Sequence, residues 1–293
     1  SYNEKNIQYK TSWKTCEKIY HRNCVVYSQC LHIFGNLSLE EWMYRNMCLK
    51  GSAGVMLMWR NGPSVVVGRH QNPWLETRVS ECEGRAVCVS RRNSGGGTVY
   101  HDLNNLNISF ISHKTLYNRF KNLVLLNKFN IDLEITERED LVLRQSGHKI
   151  SGTASKVGAH NSYHHLTLLI DVDMNQMKQL IAKPSVSAMA FITSKATESI
   201  RSKTANLKSV NKDIELEDVV NEMAIEFCRL HHFQGKDVSS GYMQLMADET
   251  NFIGLKDIES TFRSWQWIYG KTPRFTVTKQ FVWKGIAFSV ELQ

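Results

Sequence analysis

Four segments of this chain carry side chains that together could hold an elongated, anionic ligand. The first is Arg91-Arg92-Asn93-Ser94-Gly95-Gly96-Gly97-Thr98-Val99-Tyr100-His101-Asp102. Three consecutive glycines cost conformational entropy, so they signal backbone that approaches something closely or takes up positive φ. Framed by arginines and opening into a β-forming triplet, the run reads as a main-chain cradle for such a ligand. A flexible loop between two strands is the plainer alternative, and His101-Asp102 reads as an exposed pair. The second segment is Asp140, which closes the acidic stretch Glu134, Glu137, Glu139 and leads into Leu141-Val142-Leu143. Such a stretch is by default a solvated face. The third is Lys149-Ile150-Ser151-Gly152-Thr153-Ala154. Flanking Gly147 and Gly152 let Lys149 reach a ligand held by main chain, where an ammonium stabilises charge developing on a carbonyl or phosphate. The fourth is Tyr163-His164-His165-Leu166-Thr167, a double histidine on a strand.

Positioning these residues requires a sheet. Val55–Trp59 and Ser64–Val67 read as strands joined at Asn61-Gly62-Pro63, a hairpin signal. Ala86–Ser90 is a strand that delivers the chain into Arg91. Leu106, Ile108 and Phe110 alternate with Asn107 and Ser109, and Leu166, Leu168 and Ile170 with His165 and Thr167, so both stretches are strands. Asn36-Leu37-Ser38-Leu39-Glu40-Glu41 reads as a helix start, capped by Asn36 or Ser38 with the acidic pair complementing the dipole. Helical patterning follows over Met174–Ile181 and Leu216–His231. Phe275–Thr278 and Phe281–Leu292 suggest a hairpin turning near Lys279-Gln280 or Trp283-Lys284-Gly285. The sum is an α+β fold with a mixed, mostly antiparallel sheet flanked by helices.

Composition narrows the function classes. The 293 residues are 42% apolar and 22% charged, enough to bury a sizeable core, and no apolar run reaches a membrane-spanning length. The net charge of +8 suits an acidic partner or a phosphate-bearing ligand, but no basic block marks a nucleic-acid arm. The seven cysteines are odd in number and lack a C-x-x-C pair, which predicts reduced thiols and no metal site. Residues 1–24 are basic, lack the apolar core of a secretory signal and are poor in arginine for a transit peptide. Gly270-Lys271-Thr272 fails as a P-loop because Trp265 stands where glycine is needed. Rossmann and zinc-protease signatures are missing too.

Read together, these segments resemble one family. Gly68-Arg69-His70-Gln71-Asn72-Pro73-Trp74, the Arg91–Asp102 run and Lys149-Ile150-Ser151-Gly152-Thr153-Ala154 look like the signature segments of lipoate–protein ligases and lipoyltransferases. Asn36-Leu37, Ser199-Ile200-Arg201-Ser202 and Trp265-Gln266-Trp267-Ile268-Tyr269-Gly270-Lys271-Thr272-Pro273 fit in the same order, and the wording is most similar to the mitochondrial lipoyltransferase branch.

The resemblance implies a biotin/lipoyl ligase-like catalytic domain over residues 34–270, an N-terminal extension over 1–33, and over 271–293 the start of a small C-terminal accessory domain, truncated. It implies transfer of lipoyl from lipoyl-AMP to a lysine on lipoyl domains of 2-oxoacid dehydrogenase acyltransferase subunits or on glycine-cleavage H protein, in the mitochondrion. The alternatives are a full ligase using lipoate, ATP and Mg, or a non-catalytic binder of the adenylate or lipoyl domain. Carried over by position, Lys149 is catalytic, and Arg92, Ser94, Gly97, Val99, Asn105, Asp140, Lys149, Ala154, His165 and Thr167 bind lipoyl-AMP. No metal, nucleic-acid or membrane partner is expected, and a monomer is. No enzyme nucleophile is needed. A thioester octanoyltransferase would need a site cysteine, and none lies between Cys88 and Cys228. A biotin ligase would need a Gly-Arg-Gly-Arg-type loop in place of Arg91-Arg92-Asn93-Ser94-Gly95. One departure is Asn104-Asn105 where the family has Gly-Asn; asparagine tolerates positive φ well.

Overall fold

The computed structural model describes residues 24–49, 54–115, 131–137, 140–182, 190–230, 242–284 and 286–292. Most of the N-terminal extension, Cys16, Glu139, His231 and Gly285 lie outside the described residues.

The main sheet has six strands in the order β12-β1-β2-β6-β10-β9. These are β1 (Cys24–Ser28), β2 (Gly54–Trp59), β6 (Asn105–His113), β9 (Thr153–Val157), β10 (Asn161–Leu169) and β12 (Met243–Leu245). β1 pairs in parallel with β2 and β12, and the β2-β6-β10-β9 portion is antiparallel. A second sheet sets β3 (Ser64–Val67) between β4 (Cys88–Arg91) and β5 (Val99–His101). β7 (Leu133–Ile135) and β8 (Leu141–Leu143) form a small ribbon.

The central strands β2 and β6 are buried along almost their whole length because both faces of the main sheet are covered. On one face Met56, Met58, Leu106, Ile108, Phe110 and Leu168 pack against Val219, Val220, Met223 and Phe227 of α5 (Leu216–Leu230). On the other, Leu57, Trp59, Ile111 and Tyr163 meet α1 (Ile33–Asn46) and the β3-β4-β5 sheet. Two short helices, α2 (Pro73–Glu76) and α3 (Val79–Gly84), lead into β4. α4 (Met174–Leu180) follows β10, and α6 (Leu255–Arg263) packs on α1 and runs into α7 (Trp265–Ile268).

Several sequence expectations hold as elements but change partners. The expected β2–β3 hairpin does not form: β2 joins the main sheet and β3 the second sheet. Asn61-Gly62-Pro63 is a corner between sheets. Asn61 there is fully buried, with its amide bonded to Asn36 and His101. α1 begins at Ile33 and is capped by His32, so Asn36 and Ser38 lie inside it rather than at its start. Asn36 is free of capping duty because it bonds Ser28, the carbonyls of Cys30 and Arg60, and Asn61. Glu41 is a buried ion-pair partner of Lys156 and Glu40 a buried hydrogen-bond partner of His165, not first-turn caps. β4 starts two residues later than predicted, after Ala86 takes up a φ of 54°. His101 and Asp102 are buried. Asp102 accepts from the backbone N–H groups of Asn104 and Asp173.

β13 (Phe275–Trp283) and β14 (Ile286–Leu292) form the terminal hairpin, turning at Lys284, the later of the two expected places. The hairpin is not alone: β13 also pairs with β11 (Ala190–Ser194), a strand the sequence did not announce.

Candidate active site

The β6-β10 register lays a polar strip across the buried face opposite α5. Ser109 pairs with Leu57 and His165, and His165 with Ala154. Asn107 pairs with Trp59 and Thr167. Asn107, His165 and Thr167 therefore face a cavity, not solvent, while Ser109 is buried against Trp59 and Glu40. This cavity has a volume of about 180 Å³. Its deep end is formed by Leu37, Trp59, Val66, His101 and Asn107, all buried. Its mouth carries Asp140, Lys149, Gly152, Thr153 and Ile200.

Of the ten residues anticipated from sequence, Arg92, Gly97, Val99, Asp140, Lys149, Ala154, His165 and Thr167 are on the cavity wall. Ser94 and Asn105 stand behind it. Ser94 bonds His165 and Arg92, and Asn105 donates to Asn107, the residue that reaches the wall.

The three glycines do different things. Gly96 adopts φ +83°, which only glycine takes up without strain. Gly97 lies against Ser199, whose Oγ would be 3.0 Å from an added Cβ. Gly95 has no described atom within 4 Å of such a Cβ. The closest approach involves a fourth glycine: a Cβ on Gly68 would stand 2.1 Å from the carbonyl oxygen of Gly96. Gln71 ties this knot, accepting from Gly68 N and Thr98 Oγ1 and donating to Ser199 Oγ, which also accepts from Thr98 N.

Arg91 and Arg92 are internal braces. Arg91 is fully buried and donates to the carbonyls of Gly68, Arg69, Gln71, Trp267 and Ile268 and to Thr272 Oγ1. It thereby joins three segments that are far apart in sequence. Arg92 donates to Ser94 Oγ and to the carbonyls of Val66, Gly95 and Gly97. Burial pushes both guanidinium groups down to about 10, still charged at neutral pH. Arg92 contributes positive charge near the cavity, but its N–H groups hold the glycine loop.

A directed chain of hydrogen bonds runs from Arg92 across the cavity wall. Arg92 Nε donates to Ser94 Oγ at 3.0 Å. The Ser94 hydroxyl is then free to donate to His165 Nε2, 2.8 Å away. His165 Nδ1 in turn donates to Glu40 Oε1 at 2.8 Å, which also accepts from Ser109. Ser, His and Glu in this order resemble a nucleophilic triad. Ser94 is only 1% exposed and off the cavity wall, so the chain orients His165 and the glycine loop. Glu40 and Ser109 gave no sequence signal beyond lying on a helix and a strand.

Lys149 is an ion-paired cation at the mouth of the site. Its Nζ is 2.9 Å from Asp140 Oδ1, and both side chains are about one-fifth exposed or less. Its backbone is pinned rather than loose: its N–H donates to Lys203 O, its carbonyl accepts from Ala205 N, and it bridges Val142 and Thr204. Its side chain crosses Gly152, with Cε 3.7 Å from where a Cβ would sit. Asp140, expected in a solvated stretch, is thus the counter-charge of Lys149.

A cavity with Lys149 at its mouth and a glycine-lined wall stands between the two sheets of an α+β domain. The chain matches the family model of the lipoyl protein ligase A/B catalytic domain over residues 32–228, and it belongs to that family. It is 37% identical over 257 residues to mitochondrial lipoyl amidotransferase LIPT1 of Homo sapiens, covering 85% of this chain and 66% of that protein. The chain thus spans just under two thirds of the human relative's length. Lipoate-protein ligase A of Psychrobacter cryohalolentis is 32% identical over 257 residues, covering 85% of this chain and 73% of that protein. The crystal structure of P. falciparum LipL1 in complex with lipoate superposes with a TM-score of 0.70 at 24% identity, covering 92% of this chain and 85% of that one, and shares its fold. Among the described residues no group of His, Cys, Asp and Glu is placed to hold a metal, and no helix is long and apolar enough to cross a membrane.

Proposed function

We propose that this protein transfers a lipoyl group from lipoyl-AMP to the ε-amine of a lysine on a lipoyl domain. The observation that carries this reading is the cavity itself: a buried end where Leu37, Trp59 and Val66 stand beside His101 and Asn107, a glycine-lined wall and Lys149 at the mouth. The acceptor amine attacks the lipoyl carbonyl carbon. A C–N bond forms, the bond from carbonyl carbon to phosphate oxygen breaks, and AMP leaves with the electron pair while the amine proton passes to water. Lys149 stabilises the negative charge that develops on the carbonyl oxygen and the departing phosphate. Asp140 keeps the ammonium aimed at the mouth until the phosphate arrives. Gly97, Val99, Ala154 and Thr167 line the acyl-adenylate, Arg92 and Ser94 hold the loop that cradles it, Asn105 supports Asn107, and His165 borders the chain.

The 37% identity to a mitochondrial lipoyl amidotransferase supports transfer in the mitochondrion. The proposed acceptors are lipoyl domains of 2-oxoacid dehydrogenase acyltransferase subunits and glycine-cleavage H protein. The proposed organisation is a monomer with a catalytic domain over 34–270, preceded by an extension over 1–33 and followed by accessory-unit residues over 271–293. The identity to lipoate-protein ligase A favours a second reading, in which the protein also makes the adenylate from lipoate and ATP with Mg. The test supplies an apo lipoyl domain with either lipoyl-AMP or lipoate plus ATP and magnesium. Product from the adenylate alone establishes the transferase, product from both establishes the ligase, and product from neither refutes the proposal.

A further inference from the structure

Gln71 is fully buried, yet its side-chain amide makes four hydrogen bonds to three separate segments. The partners fix which way it faces. The Gly68 N–H can only donate, so Oε1 stands against it at 2.8 Å, and Oε1 also accepts from Thr98 Oγ1 at 2.8 Å. The Thr197 carbonyl can only accept, so Nε2 stands against it at 3.3 Å and also donates to Ser199 Oγ at 3.0 Å. One amide therefore joins the Gly68 corner, the exit of the triglycine run and residues 197–199. Thr98 and Ser199 both line the cavity. Two further bonds seat the same stretch, from Thr197 N–H to the His70 carbonyl and from Ser199 N–H to Glu76 Oε1. The backbone of Gln71 is itself held, because its carbonyl accepts from Arg91.

Beyond Ser199 the chain crosses the cavity mouth. Ile200 is 66% exposed and lines the mouth, and Arg201 and Ser202 are exposed. Among the described residues these three make no hydrogen bond. The next ties belong to Lys149: its N–H donates to Lys203 O and its carbonyl accepts from Ala205 N. Only Ile200, Arg201 and Ser202 separate the Gln71 anchor from those ties, so a shift at Ser199 is passed on to Lys203. We propose that Gln71 is a positioning residue for the transfer: through Ser199 and the 200–202 crossing it sets the spacing between the glycine-lined wall and Lys149. This assignment rests on the lipoyl-transfer reading. Gln71 is not on the cavity wall, so it acts through these neighbours and not on the ligand. A misplacement near 1 Å between reacting groups is enough to cost about 100-fold in rate.

The test uses Gln71→Met, which keeps the length of the side chain and removes its amide, together with Ser199→Ala and the double variant. Trypsin cleavage after Arg201 reports whether the crossing is held, because cleavage needs the flanking residues to leave their ties. It is expected to rise about tenfold in Gln71→Met, from the loss of the bonds to Thr197 and Ser199. Single-turnover transfer from lipoyl-AMP to an apo lipoyl domain separates rate constant from amplitude. The rate constant is expected to fall about 10- to 100-fold with the amplitude retained. The double variant is expected to lose no more than the larger single loss, because both changes cut one tie. A lower amplitude at the wild-type rate constant marks a merely structural residue and overturns the inference. So does an unchanged cleavage rate in Gln71→Met, and so do losses that multiply in the double variant. If Gln71→Met does not fold, Ser199→Ala decides by cleavage: a faster cut after Arg201 supports the tie, and a wild-type cut overturns it. A wild-type chain that transfers while Gln71→Met keeps its rate constant overturns this inference alone. A wild-type chain that transfers nothing from lipoyl-AMP overturns the lipoyl-transfer reading and this inference with it.

Discussion

Replacing Gly68 by alanine is expected to damage this site more than replacing a member of the triglycine run. The new methyl would stand 2.1 Å from the Gly96 carbonyl oxygen and 3.3 Å from the Arg92 guanidinium. Carbon and oxygen do not approach within 3.0 Å, so the two backbones must part by about 0.9 Å. Neither can retreat freely: Gly68 is held by Gln71 and Arg91, and the Gly96 loop by Arg92 through Gly95 and Gly97. Overpacking of this kind costs about 1–3 kcal/mol, which lowers the melting temperature by roughly 2–10 °C in a chain of this size. A displacement near 1 Å in the wall that aligns the acyl-adenylate costs about 100-fold in transfer rate. Gly95→Ala is the internal control, with open space for its methyl and no positive φ. It should melt within about 0.5 kcal/mol of wild type and retain transfer. Differential scanning fluorimetry and single-turnover transfer from lipoyl-AMP measure both quantities. A Gly68→Ala protein that melts and transfers like wild type, or a Gly95→Ala protein as damaged as Gly68→Ala, would refute the close-approach argument.

Other changes test the remaining parts of the site. Arg91→Met strips donors from five carbonyls, four of them in buried bonds, and should destabilise the chain by at least about 3 kcal/mol, read by urea denaturation, although Arg91 is not on the cavity wall. Ser94→Ala leaves Arg92 Nε and His165 Nε2 without their partner, which should cost about 1–3 kcal/mol in the same assay. His101 is held neutral with a pKa near 3 in the folded state, against about 6.5 unfolded. Between those values the unfolded chain binds a proton that the folded chain refuses. Its contribution is therefore complete above about pH 6.5 and is lost as pH falls, by about 2 kcal/mol at pH 5. Denaturation of His101→Gln from pH 8 to pH 5 should show a slope shallower by that amount; parallel slopes would contradict the assigned burial.

The strands that carry the site were legible because alternation is a local property. Leu106, Ile108 and Phe110 against Asn107 and Ser109 mark a strand from sequence alone. What they do not reveal is that the polar half is buried too, because that depends on α1 covering it. The same gap explains the misread start of α1: Asn36 and Ser38 look like caps, and only the Cys30 and Arg60 carbonyls reveal Asn36 as a core amide. The Asn-Gly corner was read as a hairpin because turn chemistry fixes the bend and not the strands' partners. Lys149 and most of the cavity wall were recognisable from motif wording. Arg91 as a brace, Glu40 behind His165 and the Gln71 amide as a tie to Ser199 were not. Each is defined by partners dozens of residues away.

Lys149 is the group proposed to stabilise charge at the cavity mouth. The direct measurement is single-turnover transfer from lipoyl-AMP to an apo lipoyl domain, followed by intact mass, for the wild-type chain and Lys149→Ala. Rapid lipoylation by wild type is expected, with a loss of about 100- to 1000-fold in the variant and its melting profile retained. Lipoylation by a folded Lys149→Ala protein at the wild-type rate would contradict that role.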